Sequence, residues 1–343
     1  MDTHLRPPGF SSSPLAFRQA WLIRHDPLRF LEQLAHQHGD IAFFQLGSRS
    51  FFLLNHPNFI RLVLDDRQDD FVCCQGLLNP QPWPAEDQPT QPADIRQMLE
   101  KASPRLIETA AHLAASWQDG ALIDLQAEMG CLANSLPLID NHLWRMAGEM
   151  AACALTWTLA LLASQPELQQ RLDTEICTAL AGRLPALSDL EGLPLTRQMV
   201  NEALRLYPPS WLVVRQAVSD TLICGYVVPS GGMILMSPWV MQRDARFFPN
   251  PLSFDPGRWV LEPQHGLPKY AFFPFGAGSQ AALADELLQV AGPLLLAGLS
   301  QNVFIHGRRF SRLPGHRSFA VQPSDLLRPK HGMRIVIGRK SLS

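Results

Sequence analysis

The feature that most limits how this chain can fold is the run from Met150 to Ala163, which is apolar apart from its threonines. At 14 residues it is shorter than the ~20 needed to cross a bilayer. A helix apolar on every side must be covered on every side, so the run predicts a central helix within a helix-rich core. Composition agrees. Hydrophobic residues make up 46% and charged residues 17% of the 343 positions, which excludes an intrinsically disordered chain. A net charge of −2 gives no basic field for nucleic acid or an anionic membrane. Met1 to Pro14 holds no apolar stretch, so no signal peptide, anchor or transmembrane segment is expected. The six cysteines form no CxxC pair and fit a reduced, cytoplasmic protein.

The local signals predict an α+β fold, mainly helical, with small sheets to one side. Residues 15–75 read as a helix-plus-hairpin region. Asp26 caps a helix whose first residue is Pro27 and which stops at Gly39, and β formers then flank Gly47. Residues 76–93, with five prolines, read as a loop, and 94–210 as the helical core. Pro104 is expected to break or restart the first helix of that core. Residues 211–343 read as a β-region, with an extended run 233–240, a loop 244–281, a last helix 283–300 and two or three short strands after 303. All of this is expected to form one domain, 1–343.

Three segments in the second half carry more than local structure. The first is Glu202-Ala203-Leu204-Arg205 with Leu206-Tyr207-Pro208-Pro209, whose Glu202 and Arg205 share one helix face. Phe254-Asp255-Pro256-Gly257-Arg258-Trp259 follows, and then Phe272-Phe273-Pro274-Phe275-Gly276-Ala277-Gly278-Ser279. In this order and at this spacing they resemble the signature set of the cytochrome P-450 superfamily, the haem-thiolate monooxygenases. The resemblance implies the P-450 fold, a buried structural triad of Glu202, Arg205 and Arg258, and a haem-binding loop after Phe272. It also implies that Arg215 is a strand arginine meeting a haem propionate.

The same resemblance exposes departures. The family's loop reads Phe-x-x-Gly-x-Arg-x-Cys-x-Gly, and here Gln280, Ala282 and Ala284 replace the arginine, the cysteine and the last glycine. A methyl group has no lone pair for iron, and the family's chemistry rests on a thiolate. In the central helix, Glu149 keeps the family's acid when one residue is deleted after Gly148, but Met150 and Ala151 stand where hydroxyls are expected. The roof helices are shortened or absent, and Trp83 lies between two prolines. His265 and His306 fall at no ligand position of the family.

These departures point to a haem-free relative with no cofactor, a repurposed scaffold acting as partner or activator of a biosynthetic enzyme, with an apolar small molecule as a second partner. An alternative is a haem-independent enzyme. In that reading Glu149 is the candidate acid, or Asp65, Asp66 and Asp69, which spell DDxxD, hold magnesium for cyclisation of a prenyl diphosphate. Asp65 and Asp69, at i and i+4, would share the metal. A second alternative is a monooxygenase that still binds haem.

Overall fold

The structure, a computed structural model, describes residues 7–10, 16–77, 81–82, 92–134, 142–260, 266–306 and 319–340. Strand β1 (Gly9–Phe10) and helix α1 (Ala16–His25) open it. Gly9 passes so close to Phe43 that a Cβ would overlap the Phe43 carbonyl, so only glycine permits that pairing. Helix α2 (Pro27–His38) starts where its cap predicts, the Asp26 carboxylate accepting from Arg29 N at 3.2 Å. Strands β2 (Ile41–Leu46) and β3 (Arg49–Leu54) form the expected hairpin, with Gly47 turning at φ 61°. Helix α3 (Pro57–Arg61) continues as one π-helical turn, Leu62–Asp66, and strands β4 (Phe71–Gln75) and β5 (Gln81–Pro82) follow.

Helix α4 (Pro92–Ser116) runs unbroken through Pro104, against expectation. Proline removes the N–H that would bond Glu100 O, but Ser103 Oγ donates to that carbonyl at 3.4 Å and Pro104 itself faces solvent. Next come β6 (Leu122–Asp124), α5 (Leu125–Asn134), α6 (His142–Leu162), α7 (Pro166–Leu180) and α8 (Pro194–Leu206). Strands β7 (Val213–Ala217), β8 (Thr221–Ile223), β9 (Tyr226–Val228) and β10 (Met233–Met236) follow. The extended run expected to reach Val240 ends early. Ser237 caps Val240 N and Pro238 opens the short helix α9 (Pro238–Met241). Helix α10 (Ser279–Ser300) begins four residues before the expected start and carries Pro293 inside it. Four strands end the described chain: β11 (Val303–His306), β12 (Val321–Pro323), β13 (Leu327–Pro329) and β14 (Arg334–Arg339).

The chain, expected as one domain, groups into two compact units. One comprises residues 1–87, 210–251 and 264–277, and the other residues 88–209, 252–263 and 278–343. The first unit is built on a seven-stranded sheet in the order β1-β2-β3-β10-β7-β4-β5, with β10 parallel to β3 and antiparallel to β7. Phe43, Phe52, Ile60, Phe71, Ile234 and Phe273 are buried together in its core.

In the second unit α6 is the helix covered on all sides, as its composition requires, with Trp157, Leu159 and Ala160 fully buried. Helices α5, α8 and α10 pack against it. Helix α10 is long and apolar enough over Ala281–Ser300 to cross a membrane by length and composition, and 78% of that stretch is buried within the chain. Its surroundings are those of a core helix. A three-stranded sheet, β11-β14-β6, has β14 at its centre, and β12 and β13 form a separate hairpin.

Candidate functional site

The signature pair of α8 is built as the sequence implies. Glu202 and Arg205 are both wholly buried and pair at 2.8 Å. Glu202 also accepts from Arg258 Nε at 2.9 Å, from Trp259 Nε1 at 2.9 Å and from Asp255 N at 3.0 Å. A carboxylate out of water needs this many donors to offset its desolvation. Trp259 is a partner that spacing alone did not reveal. The cluster locks the 252–259 segment to α8, a structural role.

The DDxxD carboxylates are not brought together. The helix stops at Arg67, so Asp65 lies in a π-helical turn that ends at Asp66, while Asp69 lies in a separate 3-10 turn. The i, i+4 face that a shared magnesium would need is therefore not formed. Asp65 is already engaged, accepting from Lys269 Nζ at 2.7 Å and from Tyr270 Oη at 2.5 Å. Partial burial pulls its pKa upward, but the bonds from Lys269 and Tyr270 more than offset this and hold the carboxyl below its ordinary value. Asp66 faces Arg61 at 3.4 Å. Among the described residues, no group of three His, Cys, Asp or Glu is placed to hold a metal.

In the first unit Arg215 stands on β7 with its Nη1 donating to Cys73 Sγ at 3.0 Å and Val214 O at 3.1 Å. The segment after Phe272 turns through Gly276 at φ 84°, where a Cβ would press on Ser210 and Val213 at 3.0 Å. Glycine is required there. In the second unit Ala282 is exposed on the first turn of α10, and Ala284 is fully buried two residues on. Of Gln280 the structure describes only the helical backbone. His306 is exposed at the end of β11, and His265 and Trp83 lie outside the described residues.

Glu149 is not the isolated buried acid its apolar helix suggests. It is half-exposed and accepts from Arg328 Nη2 at 2.9 Å. Arg328 comes from β13, 179 residues away, so no sequence signal joins the two. The pair stands at a cleft of about 230 Å³ lined by α5, α6 and β13. Met150 and Ala151 are buried without a hydroxyl. One turn on, Thr156 and Thr158 spend theirs on the carbonyls of Ala152 and Ala154 at 2.7 and 2.8 Å. Cys153 Sγ meets Leu327 O at 3.1 Å, and complete burial pushes the thiol up to about 12.

Comparison with known proteins bears on this arrangement. Residues 147–281 match the cytochrome P450 family, the match ending one residue before Ala282. The chain is 38% identical over 152 residues, 44% of its length, to cyclooctat-9-en-7-ol 5-monooxygenase of Streptomyces melanosporofaciens, covering 33% of that protein. It is 34% identical over 191 residues to cyclooctatin synthase of the same organism, 55% of this chain and 38% of that one. To pentalenene oxygenase of Streptomyces avermitilis it is 37% identical over 179 residues, 52% of this chain and 40% of that one. The chain thus spans about a third to two-fifths of the length of these curated relatives.

This corrects the expectation of a protein with no cofactor. Haem is the cofactor of the matched family, and relatives named as a monooxygenase and an oxygenase overturn a reading in which none is taken. The fit of this chain's residues to haem is partial. Arg215 uses only Nη1 within the sheet, which leaves other N–H groups for an anion. At the ligand position, the methyl of Ala282 gives iron no sulfur. The buried Glu202–Arg205–Arg258 triad and the glycine-turned segment after Phe272 both lie within 147–281, the stretch that is similar to the cytochrome P450 family.

Proposed function

We propose that this chain acts in the modification of cyclic terpenoids as a P450-framework partner of a biosynthetic enzyme, and that oxygen activation does not take place on its own loop. One observation carries the reading: Ala282 occupies the position of the thiolate ligand while the structural triad is kept whole. The hydroxyl-free turn at Met150 and Ala151 supports it, because no side chain there can pass a proton. The terpenoid class comes from the names of the relatives. The six free cysteines fit a reducing, cytoplasmic setting.

The names of the relatives also favour a second reading, an oxygenase like them. An absorption spectrum decides between the two. The protein is purified, reconstituted with haemin, reduced and exposed to carbon monoxide, then assayed with terpene cyclases and oxygenases that make and modify cyclic terpenes. The partner reading expects no thiolate-type Soret band, together with a changed rate or yield for one of those enzymes. A thiolate-type band with hydroxylation of a cyclic terpene by this protein alone establishes the oxygenase reading instead.

A further inference from the structure

We propose that the cleft between α5, α6 and β13 binds a compact, uncharged molecule that carries a hydroxyl group on an apolar frame. The site is separate from the partner role above and rests on different residues.

Its size comes first. At about 230 Å³ the cleft is below the ~300–1,000 Å³ of pockets that take drug-sized ligands, so its occupant has about ten non-hydrogen atoms. Small residues make the room. Gly130 and Ala133 on α5 face it, with Ala152 on α6 and Pro329 after Arg328. A Cβ added at Gly130 would meet no atom of the described residues within 4 Å, so among them the α5 side is open space. These walls suit an apolar frame.

The polar groups set the rest of the ligand's chemistry. Gln126 lines the cleft, and its side-chain oxygen is buried with no hydrogen-bond partner among the described residues. That oxygen is shut off from solvent, so a ligand donor reaches it when the Gln126 side chain turns into the cleft, and then recovers the about 1–3 kcal/mol that an unpaired buried acceptor costs. Glu149 offers a second acceptor in Oε1, because the bond from Arg328 uses Oε2. Arg328 spends one N–H on Glu149 and has others to give. Cys153 and Thr156 also line the cleft, but their hydrogens are spent on backbone carbonyls. The cleft therefore offers acceptors and a donor side by side, and one hydroxyl both gives and takes a hydrogen bond. The carboxylate and guanidinium already cancel, so a charged ligand would bring a charge with nothing to balance it. A plain hydrocarbon would leave Gln126 unsatisfied.

Menthol and menthone test this, having one frame and differing in whether the oxygen carries a hydrogen. Binding to the whole chain is measured by calorimetry, with amide NMR shifts locating the site. Menthol is expected to bind and to shift residues of 126–134, with menthone about tenfold weaker or more, the worth of one donated hydrogen bond to a charged or buried acceptor. Gly130→Leu fills the open space and replaces a poor helix former, so menthol binding is expected to vanish with the melting temperature kept or raised. Should that variant fold poorly, Gln126→Leu decides, with menthol weakened about tenfold and menthone unchanged. No binding of menthol by the wild type, equal affinity for menthone, or full binding by a folded Gly130→Leu variant would overturn the proposal. None of these outcomes bears on the Soret band or on the partner enzyme's rate.

Discussion

Glu202 and Arg205 form an ion pair with both side chains at zero exposure, three residues apart on α8. Arg258 reaches the same carboxylate from a segment more than fifty residues later. Removing one partner strands the other without water. For Glu202→Gln we expect a loss of about 3–5 kcal/mol, read as a lower urea midpoint. Arg258 is 12% exposed and its replacement by Lys keeps the charge, so that variant should lose clearly less. Equal losses would show that the carboxylate's local charge is not what the cluster stabilises.

Ala282→Cys places sulfur on the first turn of α10 at a position open to solvent. After reconstitution with haemin and reduction under carbon monoxide, this variant is expected to show a thiolate-type Soret band that the parent lacks. A spectrum identical to the parent's would mean that position 282 does not reach the iron.

The Asp65–Tyr270 bond makes stability depend on pH at both ends. Asp65 titrates below its ordinary 3.8 in the folded chain, so its contribution is complete above that value and is lost as pH falls through the folded one. Burial first, and then the bond to Asp65, raise Tyr270 above its ordinary 10.0. Its contribution is complete below that value and is lost as pH rises towards the folded one. Tyr270→Phe should reduce the alkaline slope, leaving the part that the buried Cys153 thiol supplies, and shrink the acid one. Urea midpoints measured at about pH 3, 7 and 11 check this, and an unchanged alkaline slope in the variant would disprove it.

Pro104 interrupts the hydrogen-bond ladder of α4 without bending the helix apart. Pro104→Ala restores the N–H to Glu100 O and a better helix former on an exposed face. The melting temperature should rise by an amount equivalent to about 1–3 kcal/mol. Ser103→Ala should cost about 1 kcal/mol in the parent and almost nothing in the Pro104→Ala background, because the hydroxyl then has a competitor for that carbonyl.

Much of the fold could be read from the chain because its signals are local. The Asp26-Pro27 cap, the Gly47 hairpin and the apolar belt of α6 each act through neighbours in sequence. What escaped was decided by distance or by a neighbour elsewhere. Strand β1 exists only because Gly9 fits against Phe43, and α9 forms because Ser237 caps it within an otherwise extended run. The magnesium site was suggested by spacing on an ideal helix, and a π-turn that stops at Arg67 dissolves that spacing. Glu149 was legible as an acid, but Arg328 and Gln126, which set its surroundings, lie on other elements with no periodic relation to it. The expectation of no cofactor rested on single positions, and the match of 147–281 to the cytochrome P450 family outweighed it.

The position of β14 bears on how the second unit assembles. Its flanking strands β6 and β11 touch only β14, never each other, and β6 begins at Leu122 whereas β14 begins at Arg334. During synthesis, then, the earlier two strands wait as unpaired edges until the late one emerges from the ribosome and threads between them. A long delay of this kind belongs to slow-folding topologies, and it makes the finishing of that sheet a step the growing chain can take only once β14 has been made.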